Sequence, residues 1–429
     1  MAEQNVKSTR RRKKKLWIIT ELYYPENNQT GYYLTKIGEG LARDFDVSVL
    51  CSQPNYAFRG TIAPKHEIHN KVEIFRVKGT TLDKNILIFR LVNMLTNGWS
   101  VFFNALFKIK KDSEVLTVSA PPSLPFLSAL AARLKGVEYS VIIQDKYPEA
   151  MIAVEKVRPD SLFIKVFNRL NGWLYSNAKK IIVVGRDMGE LVLSQIKKDY
   201  VKEKKIEVIP NWASLEEIEP RPKSENKILE KLGILDKFVF LYAGNMGHPQ
   251  DVESIVRCAE MLKEHKDIRF IFIGGGVKRK WVESEIEKKK LQNVFLLDPL
   301  PREQQTLFLN ACDVGLVSLV NRMYGVAMPS RTYNFLAAGK PILALTEDNS
   351  EVERVISEEK VGWTVKPQDP GLLFEKIKEI FGQRHDLQKM SETARHVALN
   401  IYNCENSLEK YRRAINGASD NARSAIKHK

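Results

Sequence analysis

From Leu16 onward the chain alternates short β-branched apolar runs with longer amphipathic segments. The runs LWIIT (16–20), VSVLC (47–51), VEIFRV (72–77), VLTVS (115–119), YSVIIQ (139–144), KIIVVG (180–185) and IEVIP (206–210) predict strands. Most are continuously apolar rather than alternating, as in a parallel sheet covered on both faces. Between the first two, Leu34, Ile37 and Leu41 share one face of a helix predicted over 30–45. Segment 210–227, PNWASLEEIEPRPKSENK, breaks the rhythm with three prolines and many charges, and reads as an interdomain connection. A second series follows: FVFLYAG (238–244), IRFIFIG (268–274), VFLLDP (294–299), VGLVSLV (314–320), PILALT (341–346) and VGWTVK (361–366). Val252, Ile255, Val256, Ala259 and Leu262 mark the helix between its first two members. Two successive βα series predict an α/β fold of two Rossmann-like, doubly wound parallel-sheet domains facing a central cleft. Ligands of such sheets bind beyond the carboxyl ends of the strands, which directs attention to the loops there.

Length agrees with two domains, since 429 residues exceed what one core organises. A composition 44% hydrophobic and 28% charged belongs to a globular protein with sizeable cores. No apolar stretch approaches the roughly 20 residues of a membrane span, and Leu16–Thr20 is too short for a signal core. Cys51, Cys258, Cys312 and Cys404 are scattered, which argues against a zinc site or disulfide framework and suits a cytoplasmic location. The net charge of +15 is concentrated at the start, where Lys7, Arg10, Arg11, Arg12, Lys13, Lys14 and Lys15 oppose only Glu3. Such a run reads as a solvated tail over 1–15, or as one drawn to an anionic membrane surface. The body lacks zinc-finger and ribonucleoprotein motifs, so nucleic acid is not an expected partner.

Several strand-end loops carry candidate chemistry. After the first strand, Gly31 stands at a helix start with Thr30 as the expected cap, where backbone N–H groups suit a phosphate or sugar oxygen. FLYAGNMGHPQDVES (240–254) ends a strand in Gly244, Asn245, Met246 and Gly247, and a helix follows at once. FIGGGVKRKWVE (272–283) repeats the scheme, with Gly275 central and the basic Lys278 behind it. Neither is a dinucleotide fingerprint, and no GxxxxGK[ST] loop occurs. MPSRTYNFLAAGKPI (328–342) places Met328, Ser330 and Arg331 where a short helix is expected over 331–338, with Asn334 one turn in. A helix start favours an anion, and a guanidinium fork matches phosphate oxygens. At the end of a first-domain strand, QDKYPEA (144–150) offers Asp145 and Glu149, each as proton acceptor or as cap and salt-bridge partner.

In order and spacing, VIPNWAS (208–214), YAGNMGHPQD (242–251), IGGG (273–276) and MPSRTYNFLAAGKPI resemble the landmarks of family 4 glycosyltransferases of GT-B fold. The likeness runs from Leu16 to about Tyr411 and is to the bacterial group that builds exopolysaccharide, O-antigen or colanic-acid units. It implies a retaining transferase that needs no catalytic metal and no cofactor. The nucleotide-diphosphate sugar, a UDP-sugar by default, would sit on the C-terminal domain (214–395) and a polyprenyl-diphosphate-linked sugar acceptor on the N-terminal one (16–213). Residues 396–429 would return a helix towards the N-terminal domain and end in a polar tail. The resemblance assigns the donor to Gly31, Gly244–Gly247, Gly275, Lys278, Met328, Ser330, Arg331 and Asn334. Catalysis would fall to Arg331, Asp145 and Glu149. Where many members carry two glutamates eight positions apart, this chain has Val326 and Asn334. The pair Asp44 and Asp46 enters a strand at the wrong end for metal chemistry and reads as a turn.

Competing readings are a nucleotide-sugar epimerase, a non-catalytic scaffold and a nucleic-acid binder using the tail. The segment ILIFRLVNMLTNGWSVFFNALFKIKK (86–111) is unusually apolar, with Phe89, Leu91, Met94, Trp99, Phe102, Phe103 and Phe107 before a basic end. It predicts either a core helix pair or an interfacial helix on the inner face of the cell membrane.

Overall fold

The computed structural model describes residues 13–26, 28–54, 62–80, 82, 86–196 and 205–416; the basic tail up to Arg12 lies outside them. By contact, the described chain forms two compact units. The first runs to Ile142 and adds Ala178–Lys180 and the segment from Tyr411; the second comprises Ile143–Asn177 and Ile181–Lys410.

In the first unit the strands are β1 (Lys15–Ile19), β2 (Asp46–Cys51), β3 (His66–His69), β4 (Val72–Arg76), β5 (Ser113–Val118) and β6 (Tyr139–Ile143). Their order is β3-β4-β2-β1-β5-β6, parallel throughout except for the antiparallel β3–β4 pair. Central β1 is buried from Leu16 to Ile19 because helices cover both faces, which is why its sequence shows no alternation. β3 was not expected. Its HEIH alternates exposed and half-buried positions at the sheet edge, so it carries no apolar run to find. The first helix is Gln29–Leu41, capped by Asn28, whose side chain accepts the Gly31 N–H at 2.8 Å; the cap expected at Thr30 is therefore corrected. Asp44 lies in the turn before β2 and pairs with Arg412 at 3.4 Å.

The long helix Leu87–Lys108 buries polar residues in its middle and Val101, Phe102 and Ala105 further on. Asn93 and Asn97 are buried, and their amides bond to Leu82 O (2.8 Å) and Thr80 O (3.2 Å). Thr96 Oγ1 accepts the Thr80 N–H at 3.2 Å. Gly98 is pressed on the helix Leu124–Leu134, where an added Cβ would stand 2.8 Å from Leu127 Cδ1. Phe102 is buried as well, while Trp99 and Phe103 are half exposed and Phe107 is 85% exposed.

In the second unit β7 (Ile181–Val183) and β8 (Ile206–Val208) pair in parallel. A separate sheet holds β9 (Phe238–Ala243), β10 (Ile268–Ile273), β11 (Val294–Leu297), β12 (Val314–Ser318), β13 (Ile342–Leu345) and β14 (Gly362–Val365). Its order, β11-β10-β9-β12-β13-β14, winds outward in both directions from the β9–β12 pair. The reversal opens a crevice at the carboxyl ends of β9 and β12. The proline-rich segment 210–227 is well held, with Trp212 and Ile218 buried and Asn226 capping the helix Lys227–Leu232.

The short helix Arg331–Ala337 lies close on β12 because position 315 has no side chain. A Cβ there would stand 2.4 Å from the Phe335 ring. Gly315→Ala is therefore expected to cost about 1–3 kcal/mol through overpacking, read as a shifted urea midpoint with unchanged slope.

Candidate active site

Three glycines shape the ends of β9 and β10. Gly244 (φ 139°), Gly274 (φ 145°) and Gly276 (φ 126°) occupy backbone regions that side chains disfavour. A Cβ on Gly274 would stand 2.0 Å from Gly244 O. The loops are then tied by Gly244 N–H to Ile273 O (2.8 Å), Met246 N–H to Gly275 O (2.7 Å) and Lys278 N–H to Met246 O (2.9 Å). Asn245 is exposed at the tip, whereas the Met246 side chain is wholly buried in the core, so only its backbone belongs to the loop surface. The Gly247 N–H is taken by Gln250 Oε1 at 3.0 Å. The Lys278 ammonium is also committed, to Glu253 at 2.9 Å and Gln250 O at 2.6 Å.

Beyond β12 the chain is held by buried Asp187, whose Oδ2 accepts the N–H groups of Gly325 (3.0 Å) and Glu351 (2.9 Å). Val326 is buried and its carbonyl accepts the Lys146 N–H at 2.9 Å, next to a bridge between Asp145 and Ala327. Ser330 stands at the helix start with its side chain making no capping bond, and the Thr332 N–H is used by Pro329 O at 3.1 Å. The Arg331 guanidinium lies on the Tyr242 ring, 4.3 Å from its centroid, with Nη2 3.4 Å from Asn245 O. Its Nη1 is buried and has no acceptor among the described residues. Tyr242 donates its hydroxyl to the same Asn245 O at 2.7 Å, and burial raises its pKa. Asn334 is half-buried one turn further on.

The end of β6 supplies the third wall. Loss of surrounding water pushes the Asp145 carboxyl up to about 6. Lys146 is fully buried, donating to Glu149 Oε1 (2.7 Å) and Gln195 Oε1 (3.0 Å); burial lowers its pKa against the pull of Glu149. Glu149 also accepts from Gln195 Nε2 at 2.7 Å, and its Oε2 is buried without a partner. Glu149 is thus the counter-ion of a buried lysine.

A cavity of about 260 Å³ opens among these walls, lined by Asp145, Tyr147, Gln250, Met328, Ser330 and Arg331 with apolar neighbours. The predicted residues Asp145, Met328, Ser330 and Arg331 meet there; Glu149, Asn245, Lys278 and Asn334 are not in its lining. Gly31 stands in the other unit, closely covered, where a Cβ would meet Glu26 O at 2.5 Å. Tyr242, Lys146, Gln195 and Asp187 were not anticipated. Only Lys146 left a signal, a lysine three positions before Glu149, just past the apolar run of a strand. Among the described residues no three His, Cys, Asp or Glu side chains gather as a metal site.

Breaking the buried pair from one side strands a charge. Lys146→Ala is expected to cost about 3–5 kcal/mol in urea unfolding, and Lys146→Met with Glu149→Leu to recover most of it.

Comparison with known proteins agrees with this architecture. Residues 224–397 match the family model described as glycosyl transferases group 1, and residues 30–212 match the glycosyl transferase 4-like domain. The chain is 27% identical over 398 residues to a probable glycosyltransferase, WbjE of Pseudomonas aeruginosa, covering 92% of this chain and 96% of that one. To WcaI of Escherichia coli, a putative colanic acid biosynthesis glycosyl transferase, it is 23% identical over 67% of this chain and 70% of that one. Anabaena HepE in complex with UDP-glucose superposes with a TM-score of 0.69 at 12% identity, over 94% of this chain and all of that one. Two parallel-sheet units, both family models and the relatives together place the chain among the GT-B glycosyltransferases of family 4.

Proposed function

We propose that the chain moves a sugar from a nucleotide diphosphate, UDP by default, to a lipid-linked sugar acceptor, with retention of configuration and without a metal. The observation that carries this reading is the Arg331 guanidinium, held on Tyr242 with a buried Nη1 lacking an acceptor. An unsatisfied buried donor costs about 1–3 kcal/mol, which an incoming anionic oxygen would relieve. The leaving diphosphate of glycosyl transfer is such an anion, and fixed donors that need not reorganise are what stabilise its growing charge. Ser330 and the Asn245 and Gly275 backbone N–H groups extend the same donor surface, with Gly244, Met246 and Gly247 shaping it. Asn334 faces the nucleotide in this reading, Lys278 steadies the loop, and UDP-glucose on HepE supports the choice of base. Asp145, with its raised pKa, is the group that takes the acceptor hydroxyl's proton, while Glu149 holds Lys146 behind it.

The acceptor reading draws on the helix Leu87–Lys108. Asn93 and Asn97 face inward while Trp99, Phe103 and Phe107 face outward, and among the described residues no helix is long and apolar enough to cross a membrane. A helix of this kind lies in an interface rather than through it. We therefore propose peripheral contact with an anionic membrane at the cytoplasmic face.

Arg331→Ala should lower kcat by about tenfold to a thousandfold, as loss of one charge-stabilising donor does, in a steady-state transfer assay. Wild-type turnover would remove the diphosphate role. Because an acceptor of protons must be ionised, kcat/KM should rise with pH through about 6, and Asp145→Asn should abolish that limb along with most of the rate. Asn334→Glu is expected to keep or tighten nucleotide binding by calorimetry; loss of binding in a folded variant would show that this position does not meet the ribose. Replacing Trp99, Phe103 and Phe107 together by serine should weaken sedimentation with anionic vesicles by at least about tenfold while leaving nucleotide binding unchanged.

A further inference from the structure

A second cavity, about 480 Å³, opens in the first unit among Lys13, Lys14, Lys15, Lys108, Lys110 and Trp17, with Asp46, Asp112 and Ser113 completing its wall. It lies where β1, β2 and β5 begin, since Lys15, Asp46 and Ser113 are their first residues. Ligands of parallel sheets bind at the opposite ends, so this cavity is separate from a donor or acceptor crevice.

Its lysines are unequal. Lys13 donates to Ala42 O at 2.8 Å, Lys14 pairs with Glu114 at 2.8 Å, and Lys15 is shared between Asp46 (3.2 Å) and Glu73 (3.4 Å). Lys108 meets no carboxylate among the described residues; its ammonium rests 4.1 Å from the centre of the Phe75 ring, and Phe75 packs tilted by 32° against Trp17 with centroids 5.6 Å apart. Lys110, exposed two residues past the end of the helix, has no ionic partner among the described residues either. Two lysines lining the cavity are thus without a carboxylate partner, and one of them, Lys108, is seated on an aromatic face.

The cavity's position names its ligand. Lys108 ends the helix whose outward face carries Trp99, Phe103 and the 85% exposed Phe107. An apolar stripe finishing beside unpaired cations matches a bilayer, where acyl chains and phosphates lie within a few ångströms of each other. Resting on the membrane reading above, we infer that this cavity receives the phosphate of an anionic phospholipid headgroup when the helix lies on the bilayer. Lys108 and Lys110 contact the phosphate, and Lys13, Lys14 and Lys15 supply the surrounding field.

The test uses the full chain and vesicles of phosphatidylcholine, with or without phosphatidylglycerol. Lys108→Glu with Lys110→Glu should weaken binding to the anionic vesicles by about tenfold or more. Lys65→Glu with Lys78→Glu, an equal charge change on exposed lysines outside the cavity, should weaken it far less. Nucleotide binding should be the same in all forms, which also reports folding. If the two charge reversals act equally, the cavity is not the headgroup site, although membrane contact stands. A wild-type chain that ignores both kinds of vesicle overturns the membrane reading and this inference with it. Titration with glycerol phosphate in solution separates the sources: tight binding there, without vesicle binding, would assign the cavity to a free phosphate ester instead.

Discussion

The candidate site depends on one close approach, that of the Arg331 guanidinium to the Tyr242 ring across position 244. A Cβ on Gly244 would stand 3.0 Å from Arg331 Nη2, and its φ of 139° disfavours side chains, so the glycine just past β9 gives the stack its room. That glycine is pinned in turn, since Gly274 can lie against its carbonyl only without a side chain. At the other end, the helix bearing Arg331 reaches β12 because Gly315 leaves room for Phe335. The cation's position is therefore set by three missing side chains and one aromatic face. A lysine in its place would keep the charge and lose the planar stack and the fork.

The opposite wall is held by charge rather than by close packing. Lys146 is buried without exposure, and such a charge persists only when paired and hydrogen-bonded. Glu149 and Gln195 meet that need, and the same residue's N–H fastens Val326. The peptide that exposes Asp145 to the cavity is thus anchored through its neighbour. This gives the adjacent carboxylates different work: Glu149 balances a charge, while Asp145, pushed up to about 6, can exchange a proton near neutrality.

Strands were legible because parallel sheets demand continuous apolar runs, and every run named from the sequence lies on a strand. The miss, β3, is an edge strand whose HEIH has no apolar face to bury. At the site, glycines and the Arg331 helix start were legible because φ angles and helix ends impose residue types. Tyr242 was not, for a tyrosine inside FLYAG reads as core and its partner lies far along the chain. Lys278 illustrates the reverse problem: a cation beside a glycine loop looks ready for phosphate, yet Glu253 already holds it. Spacing reports which residues are near in sequence; it does not report which charges are already spent.

The helix Leu87–Lys108 shows the same limit in a form that bears on function. Periodicity separates its apolar residues from its polar ones, and the ordinary inference buries the apolar side. Here the backbone groups of Thr80 and Leu82 need partners, and Asn93, Thr96 and Asn97 supply them. Each such bond contributes about 0.5–1.5 kcal/mol, which favours turning Asn93 and Asn97 inward. The aromatics are then left outside for an apolar phase to cover. Phe102, buried beside them, shows how narrow the outward stripe is. An interface that is apolar along one line and basic at one end fits a bilayer surface better than a second protein, whose contact patch would need breadth on both sides of the helix.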